Sequence, residues 1–259
     1  MMTSMSTEHA ERVERERAFH DERYADDHRG VTEKYYEVDA GRAAFVAALA
    51  AVPAGARVLE YGCGTGSSAF DLAARGAIVT GIDISPVAVD AATREAVRRG
   101  VPARFVEDDA HRLSLADRSV DVVCGTGVLH HLDLDLALPE LARVLDDGGW
   151  AVFYEPLGTN PLIRAYRRLT PKLRTPDEHP LVPGDLDLAR RHFRRVEASH
   201  HTALALAGVV LRRLPGGERV VGALHRLDAW LFRVVPPARW LAWVVVLRLA
   251  EPRRPGGPA

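Results

Sequence analysis

The 259-residue chain reads as an α/β protein built on a doubly wound, mostly parallel sheet, and three observations predict this. An apolar run, Arg57 to Tyr61, ends in glycines at alternate positions, Gly62, Gly64 and Gly66, and passes into a helix-compatible stretch from Ser67 to Arg75. Buried, β-branched runs then alternate with amphipathic stretches as far as Glu155, the pattern of strands covered on both faces by crossover helices. Finally, Asp83 closes the second apolar run 21 residues after Gly62, the spacing that returns a βαβ unit to the neighbouring strand end.

The first 18 residues are polar and are expected to be disordered at the start and then helical. Phe19, His20, Tyr24, Tyr35 and Tyr36 follow among many charges, and two readings stand: an N-terminal helix packed on the core, or a lid over a ligand. Gly41 to Val52 is an amphipathic helix stopped by Pro53, which bounds an N-terminal segment of residues 1–52. After the glycine turn and its helix come the strand Ala77 to Asp83 and a helix with Ser85 as N-cap and Pro86 as first residue, ending at Gly100. Ala103 to Glu107 is the third strand, Ser119 to Cys124 the fourth, Pro139 to Leu145 a helix and Trp150 to Glu155 the fifth strand.

Beyond Glu155 the rhythm breaks. Residues 156–184 are rich in proline and arginine, a long connection rather than a short loop. Asp185 to His192 is helical and Phe193 to Ser199 a sixth strand; Ala203 to Leu214 and Arg219 to Val235 are helical, the latter with Val220, Val221, Leu224, Leu227, Leu231 and Val234 on one face; Trp243 to Leu249 is a seventh strand.

Composition narrows the function classes. With 47% hydrophobic and 27% charged residues the chain has the makeup of a soluble globular protein, and a net charge of -1 argues against a general nucleic-acid binder. The charge is uneven: residues 156–259 carry +10 and the remainder -11, so the C-terminal part is either a surface for anionic groups or membrane, or a solvated arginine-rich face. Cys63 and Cys124 show no paired spacing, which fits a reducing cytoplasm and neither a disulfide framework nor a zinc site. The charged N-terminus lacks the apolar run of a signal peptide, and the longest apolar segments fall short of the ~20 residues that span a bilayer.

The glycine turn brings bare backbone N-H groups and a helix N-terminus to one point, a setting for an anionic or polar ligand group. Asp83 is placed to accept ribose hydroxyls, and of the acids Asp108 and Asp109 after the third strand, Asp109 is the better placed to accept the amine of an adenine. A nicotinamide-dependent oxidoreductase is a competing class, but its fingerprint would put the third glycine where Ser67 stands.

Taken together, Glu60-Tyr-Gly-Cys-Gly-Thr-Gly66, Gly81-Ile-Asp-Ile-Ser-Pro86, Asp109-Ala110, Val128-Leu-His-His-Leu132 and Leu141-Ala-Arg-Val-Leu-Asp-Asp-Gly-Gly149 resemble, in order, the class I S-adenosylmethionine-dependent methyltransferases, nearest the group of the ubiquinone and menaquinone enzymes. The resemblance covers residues 57–156 and implies a Rossmann-like sheet of seven strands, the last antiparallel and inserted beside the fifth. It implies a core of residues 53–200 and 241–251, with 156–184 and 201–240 as helical cap insertions on the substrate side. It further implies that S-adenosylmethionine lies with its methionine part on Gly62, Gly64 and Gly66, its ribose on Asp83, its adenine against Ile84, Asp109 and Ala110, and its sulfonium over Thr126 and Gly127, with Glu60 supporting the loop. Tyr61 and Asp108 depart from the usual pattern.

The acceptor's nucleophile has only to be aligned with an activated methyl group, which positioning alone accelerates greatly. His130 and His131 are candidates to remove its proton or, alternatively, to hold the loop, and Glu155 is a candidate polar residue of the wall; His179 and Tyr36 are weaker candidates. No metal-ligand set is apparent, so metal-free O-methylation of a small or amphipathic acceptor is expected: a secondary metabolite, a lipid-like molecule or a peptide terminus. N- or C-methylation and a catalytically silent cofactor-binding subunit are the alternatives. Peripheral membrane contact and a homodimer are left open.

Overall fold

The computed structural model describes residues 2–25, 39–66 and 68–254. Tyr35, Tyr36 and Ser67 lie outside them. Seven strands form one sheet: β1 (Arg57–Tyr61), β2 (Ile78–Asp83), β3 (Ala103–Glu107), β4 (Val120–Thr126), β5 (Leu145–Pro156), β6 (Phe193–His201) and β7 (Val244–Pro252), in the order β3-β2-β1-β4-β5-β7-β6. β1 to β5 pair in parallel, and β7 runs antiparallel between β5 and β6. This is the sheet that the family resemblance implies.

Register brings the chemistry to one edge. Tyr61 pairs with Ile82 and Gly125, Asp83 with Glu107, and Thr126 with Tyr154, so the carboxyl ends of β1 to β5 stand in a row. The connections are set by local signals. Asp39 caps α2 (Ala40–Ala50) by accepting from Arg42 N at 3.1 Å, and Ser85 caps α4 (Pro86–Arg99) by accepting from Ala88 N at 3.1 Å; α3 is Ala69–Ala74. α5 (Leu134–Val144) lays Leu134, Leu138 and Leu141 on one face of the sheet, while α2 and α3 cover the other with Phe45, Leu49, Phe70 and Leu72.

Several expected boundaries move. β5 begins at Leu145 rather than at the expected Trp150, so Asp146 to Gly149 belong to the strand, with a register shift against β4 between Val120 and Val122. The expected helix from Ala203 to Leu214 is broken into a 3₁₀ turn, Leu204–Ala207, and the single helical turn α8, Gly208–Leu211. Asp228 explains the break: its carboxylate accepts from Ala203 N, Leu204 N and Ala205 N, fixing these residues from α9 (Gly217–Val234) instead of letting them wind. α6 (Pro161–Leu169) and α7 (Pro183–His192) lie in and after the proline-rich connection.

Among the described residues the N-terminal polar stretch is helical from Met2, forming α1 (Met2–Ala25). Among the described residues none of its side chains joins either apolar core. Polar contacts fasten it instead: Arg15 forks onto Asp177 at 2.9 and 3.0 Å, Arg17 meets Glu107 at 2.8 Å, and Asp21 accepts from the Ser85 hydroxyl.

Candidate functional site

β1 places Glu60 and the glycine turn. The Glu60 side chain, 1% exposed, accepts from Ser68 N at 2.9 Å and Ala69 N at 3.0 Å, satisfying the free donors at the start of α3 and pinning the loop from below. Gly62 has φ +58°, and a Cβ there would stand 2.8 Å from Val128 Cγ2, so neither the backbone angle nor the space admits a side chain. Asp83 accepts from Gly64 N on one oxygen and from Ser85 N on the other, both at 2.9 Å, tying the glycine loop to the end of β2. Burial pushes its carboxyl up, against the pull of these two backbone donors.

A cleft partly open to solvent runs along the strand ends. Gly62, Asp83, Ile84, Asp109, Ala110, Thr126, Gly127 and His131 form its floor, and Arg12, Glu16, His20 and Tyr24 of α1 its facing wall. Asp109 is already engaged: one oxygen holds His111 N at 2.9 Å and His111 Nδ1 at 2.6 Å, the other His9 Nε2 at 2.9 Å. Burial would raise its carboxyl, but the two imidazoles win and hold it well below the usual carboxylate range.

The two neighbouring histidines each receive a carboxylate. His130 Nδ1 lies 2.8 Å from Glu155, whose other oxygen accepts from Val128 N at 2.8 Å and Leu129 N at 2.9 Å. His131 Nδ1 lies 2.9 Å from Glu16 of α1, and its Nε2 is 4.0 Å from Glu178. The Glu16 carboxylate is also bonded by the Thr175 hydroxyl and approached by His20 Nε2 at 3.5 Å. Desolvation, opposed and outweighed by His131 and His20, leaves the Glu16 carboxyl well below its ordinary range. His131 itself is pushed down from 6.5, first by burial and then by the His130 ring 4.2 Å away.

Residues 59–153 match a family model described as a methyltransferase domain. Over 205 residues, 76% of this chain and 77% of the relative, the chain is 35% identical to the aklanonic acid methyltransferase DauC of Streptomyces sp. strain C5. The chain belongs to the class I S-adenosylmethionine-dependent methyltransferases. It is also 40% identical over 110 residues to a demethylmenaquinone methyltransferase of Thermus thermophilus, a match that covers 41% of this chain and half the length of that relative, 50%. A 27-O-demethylrifamycin SV methyltransferase of Amycolatopsis mediterranei is 39% identical over 108 residues, 40% of each chain. Among solved structures, a Haemonchus contortus phosphoethanolamine N-methyltransferase 2 bound to S-adenosylhomocysteine superposes with a TM-score of 0.60 at 16% identity, over 82% of this chain and 52% of that one. YcgJ of Bacillus subtilis gives 0.55 at 18%, over 83% and 100%. At such identities these two show the fold alone.

For a methyltransferase of this class, the structure gathers most of the sequence-predicted positions. Gly62, Asp83, Ile84, Asp109, Ala110, Thr126, Gly127 and His131 line the cleft, while Glu60, Gly64 and Gly66 stand behind it as its frame. Glu155 requires a correction: it is 0% exposed and holds His130 and the loop after β4 rather than forming the wall. His130 likewise stays behind the wall. His179 gives its N-H to the His130 carbonyl at 2.6 Å, and its side chain is half exposed beside Asp185, away from the cleft. Tyr61 is fully buried against Phe153, so its departure from the family pattern falls in the core. No residue of 201–240 lines this cleft.

Sequence reading missed Arg12, Glu16 and His111. The signal was present for the helix: His9, Arg12, Val13, Glu16, His20 and Tyr24 recur at intervals of three and four, one face of α1. Among the described residues it also missed three groups whose ligand atoms come within 4.8 Å of one another, His9-Asp109-His111, Glu16-His20-His131 and His130-His131-Glu178, each geometrically able to hold a metal ion. In the first two, members already bond one another through protons, His111 to Asp109 and His131 to Glu16.

Proposed function

We propose that the chain O-methylates a small or amphipathic acceptor, with His131 taking the acceptor's proton. The observation that carries the reading is a cleft-lining imidazole whose Nδ1 faces a carboxylate, on the same wall as Thr126 and Gly127. A carboxylate at Nδ1 fixes the proton there and leaves Nε2 as the acceptor, and burial keeps the ring neutral and ready to act as a base. His130, oriented by buried Glu155, supports the loop that carries its neighbour.

The residues present fit S-adenosylmethionine. Gly62 gives bare backbone on the cleft floor, and each Asp83 oxygen, already holding one N-H, keeps a lone pair for a ribose hydroxyl. Asp109 has the same spare capacity beside His9 for an adenine amine. When bound, the cofactor supplies an electrophilic methyl on a positive sulfur. The protein's part is to align the acceptor oxygen, pass its proton to His131 Nε2 and exclude water. α1 serves the last task as a lid, since its polar fastenings can open without exposing apolar core.

The similarity to an aklanonic acid methyltransferase and to a 27-O-demethylrifamycin SV methyltransferase supports a secondary metabolite as acceptor. Turnover assays with hydroxylated and carboxylated polyketide aromatics and with matched amines test the reading. It predicts S-adenosylhomocysteine release with an oxygen-bound methyl in the product; a product methylated only on nitrogen or carbon contradicts it.

A further inference from the structure

Sequence periodicity places Val220, Leu227 and Val234 on one apolar face of α9 together with Val221, Leu224 and Leu231. The structure splits that face. Asp228 and Phe232 are turned inward at 2% and 8% exposure, whereas Val220, Leu227, Trp230 and Val234 are 45%, 44%, 52% and 46% exposed, an outward stripe at intervals of three, four and seven. Arg219, Arg226 and Arg233, all exposed, follow at every seventh position along one border of it. The chain after the helix is tied to a second exposed segment. Thr159 and Asn160 donate to the carbonyls of Trp240 and Leu241, joining the start of α6 to the turn after α9, and α6 buries none of its residues while Leu162 is 69% and Leu169 81% exposed.

The geometry points to a membrane-docking face: α9, extended by α6, seats the enzyme on an anionic lipid surface, its apolar stripe in the headgroup region and its arginines on the phosphates. An amphipathic helix with exposed Trp and Leu bordered by arginine has the makeup of an interfacial helix. Charge selects this occupant over a second copy of the chain. The acids on α9 are Glu218 and Asp228, and Asp228 is buried under three backbone N-H groups, so a twin helix would bring the arginine row little to pair with. None of the helices among the described residues is long and apolar enough to cross a membrane, so this contact is peripheral. It does not depend on the methyl acceptor: methyl transfer and lipid docking can each fail alone.

Sedimentation of the full chain with vesicles of phosphatidylglycerol and phosphatidylcholine, against phosphatidylcholine alone, tests it. The expected result is co-sedimentation with the anionic vesicles, weakened by high salt. The triple variant Arg219→Ala, Arg226→Ala, Arg233→Ala should weaken partitioning by about tenfold or more, and Trp230→Asp should abolish it, with S-adenosylmethionine binding retained by calorimetry as proof of folding. A chain that stays in the supernatant with both vesicles overturns the proposal. So does equal binding to both, or a dimer in solution that Trp230→Asp splits.

Discussion

Glu16 and His131 lie 115 residues apart in sequence and 2.9 Å apart in space, so a carboxylate of the N-terminal helix orients the imidazole on the cleft wall. The hydrogen bond that His131 gives to this carboxylate pulls its pKa up against the larger downward push of burial. Glu16→Gln should therefore lower kcat by about tenfold or more and move the acid limb of the pH-rate profile to still lower pH. A variant with unchanged kcat and pH profile would remove Glu16 from the mechanism.

The wild-type pH profile follows from the same residue. The neutral imidazole is the active form, activity is lost as the pH falls through its pKa, and that pKa is held below 6.5. The acid limb of kcat/KM, which reports the free enzyme, should accordingly lie below pH 6.5, and His131→Ala should abolish the limb and cost about a hundredfold or more. A limb above that value, or one that persists in His131→Ala, contradicts His131 as the base.

Glu155 acts through the main chain. Its carboxylate is fully buried and accepts from two backbone N-H groups beside His130, so Glu155→Leu leaves those donors without an acceptor. A loss of roughly 2–4 kcal/mol, read as a lower denaturation midpoint together with reduced kcat, is expected. Unaltered stability would show that the loop does not need this anchor.

Asp83 joins the glycine loop to the end of β2 and faces the cleft. Asp83→Ala should raise the calorimetric Kd for S-adenosylmethionine by about tenfold or more. An unchanged Kd would contradict the ribose assignment.

Metal-free transfer is also testable, because His-carboxylate groups with ligand spacing do occur at the cleft. Turnover should survive exhaustive dialysis against a chelator unchanged. A loss restored by a divalent cation would reassign Glu16, His20 and His131 as ligands.

The strand-turn-helix at Gly62 and the acid at Asp83 were legible because their roles are local: a positive φ and a fixed crossover length leave marks within a few residues. The seven strands were legible as apolar runs, whereas the antiparallel insertion of β7 beside β5 came with the family resemblance. Glu155 was read as a wall residue because sequence shows which strand end a carboxylate occupies and not which way it faces; three donors turn it inward. The break at Ala203 depends on Asp228, 25 residues later, and the pairing of Glu16 with His131 on the docking of α1. Such partners are set by tertiary packing and leave little trace in local pattern. The apolar positions of α9 show the same limit, since periodicity revealed apolar spacing without revealing that half of it faces outward.

The most direct test is a crystal structure of the chain with S-adenosylhomocysteine. The ribose should rest on Asp83, the adenine beside Asp109 and the sulfur over Thr126 and Gly127 with His131 facing it. A ligand bound elsewhere, or one lying in the cleft with its sulfur turned away from His131, would contradict the account.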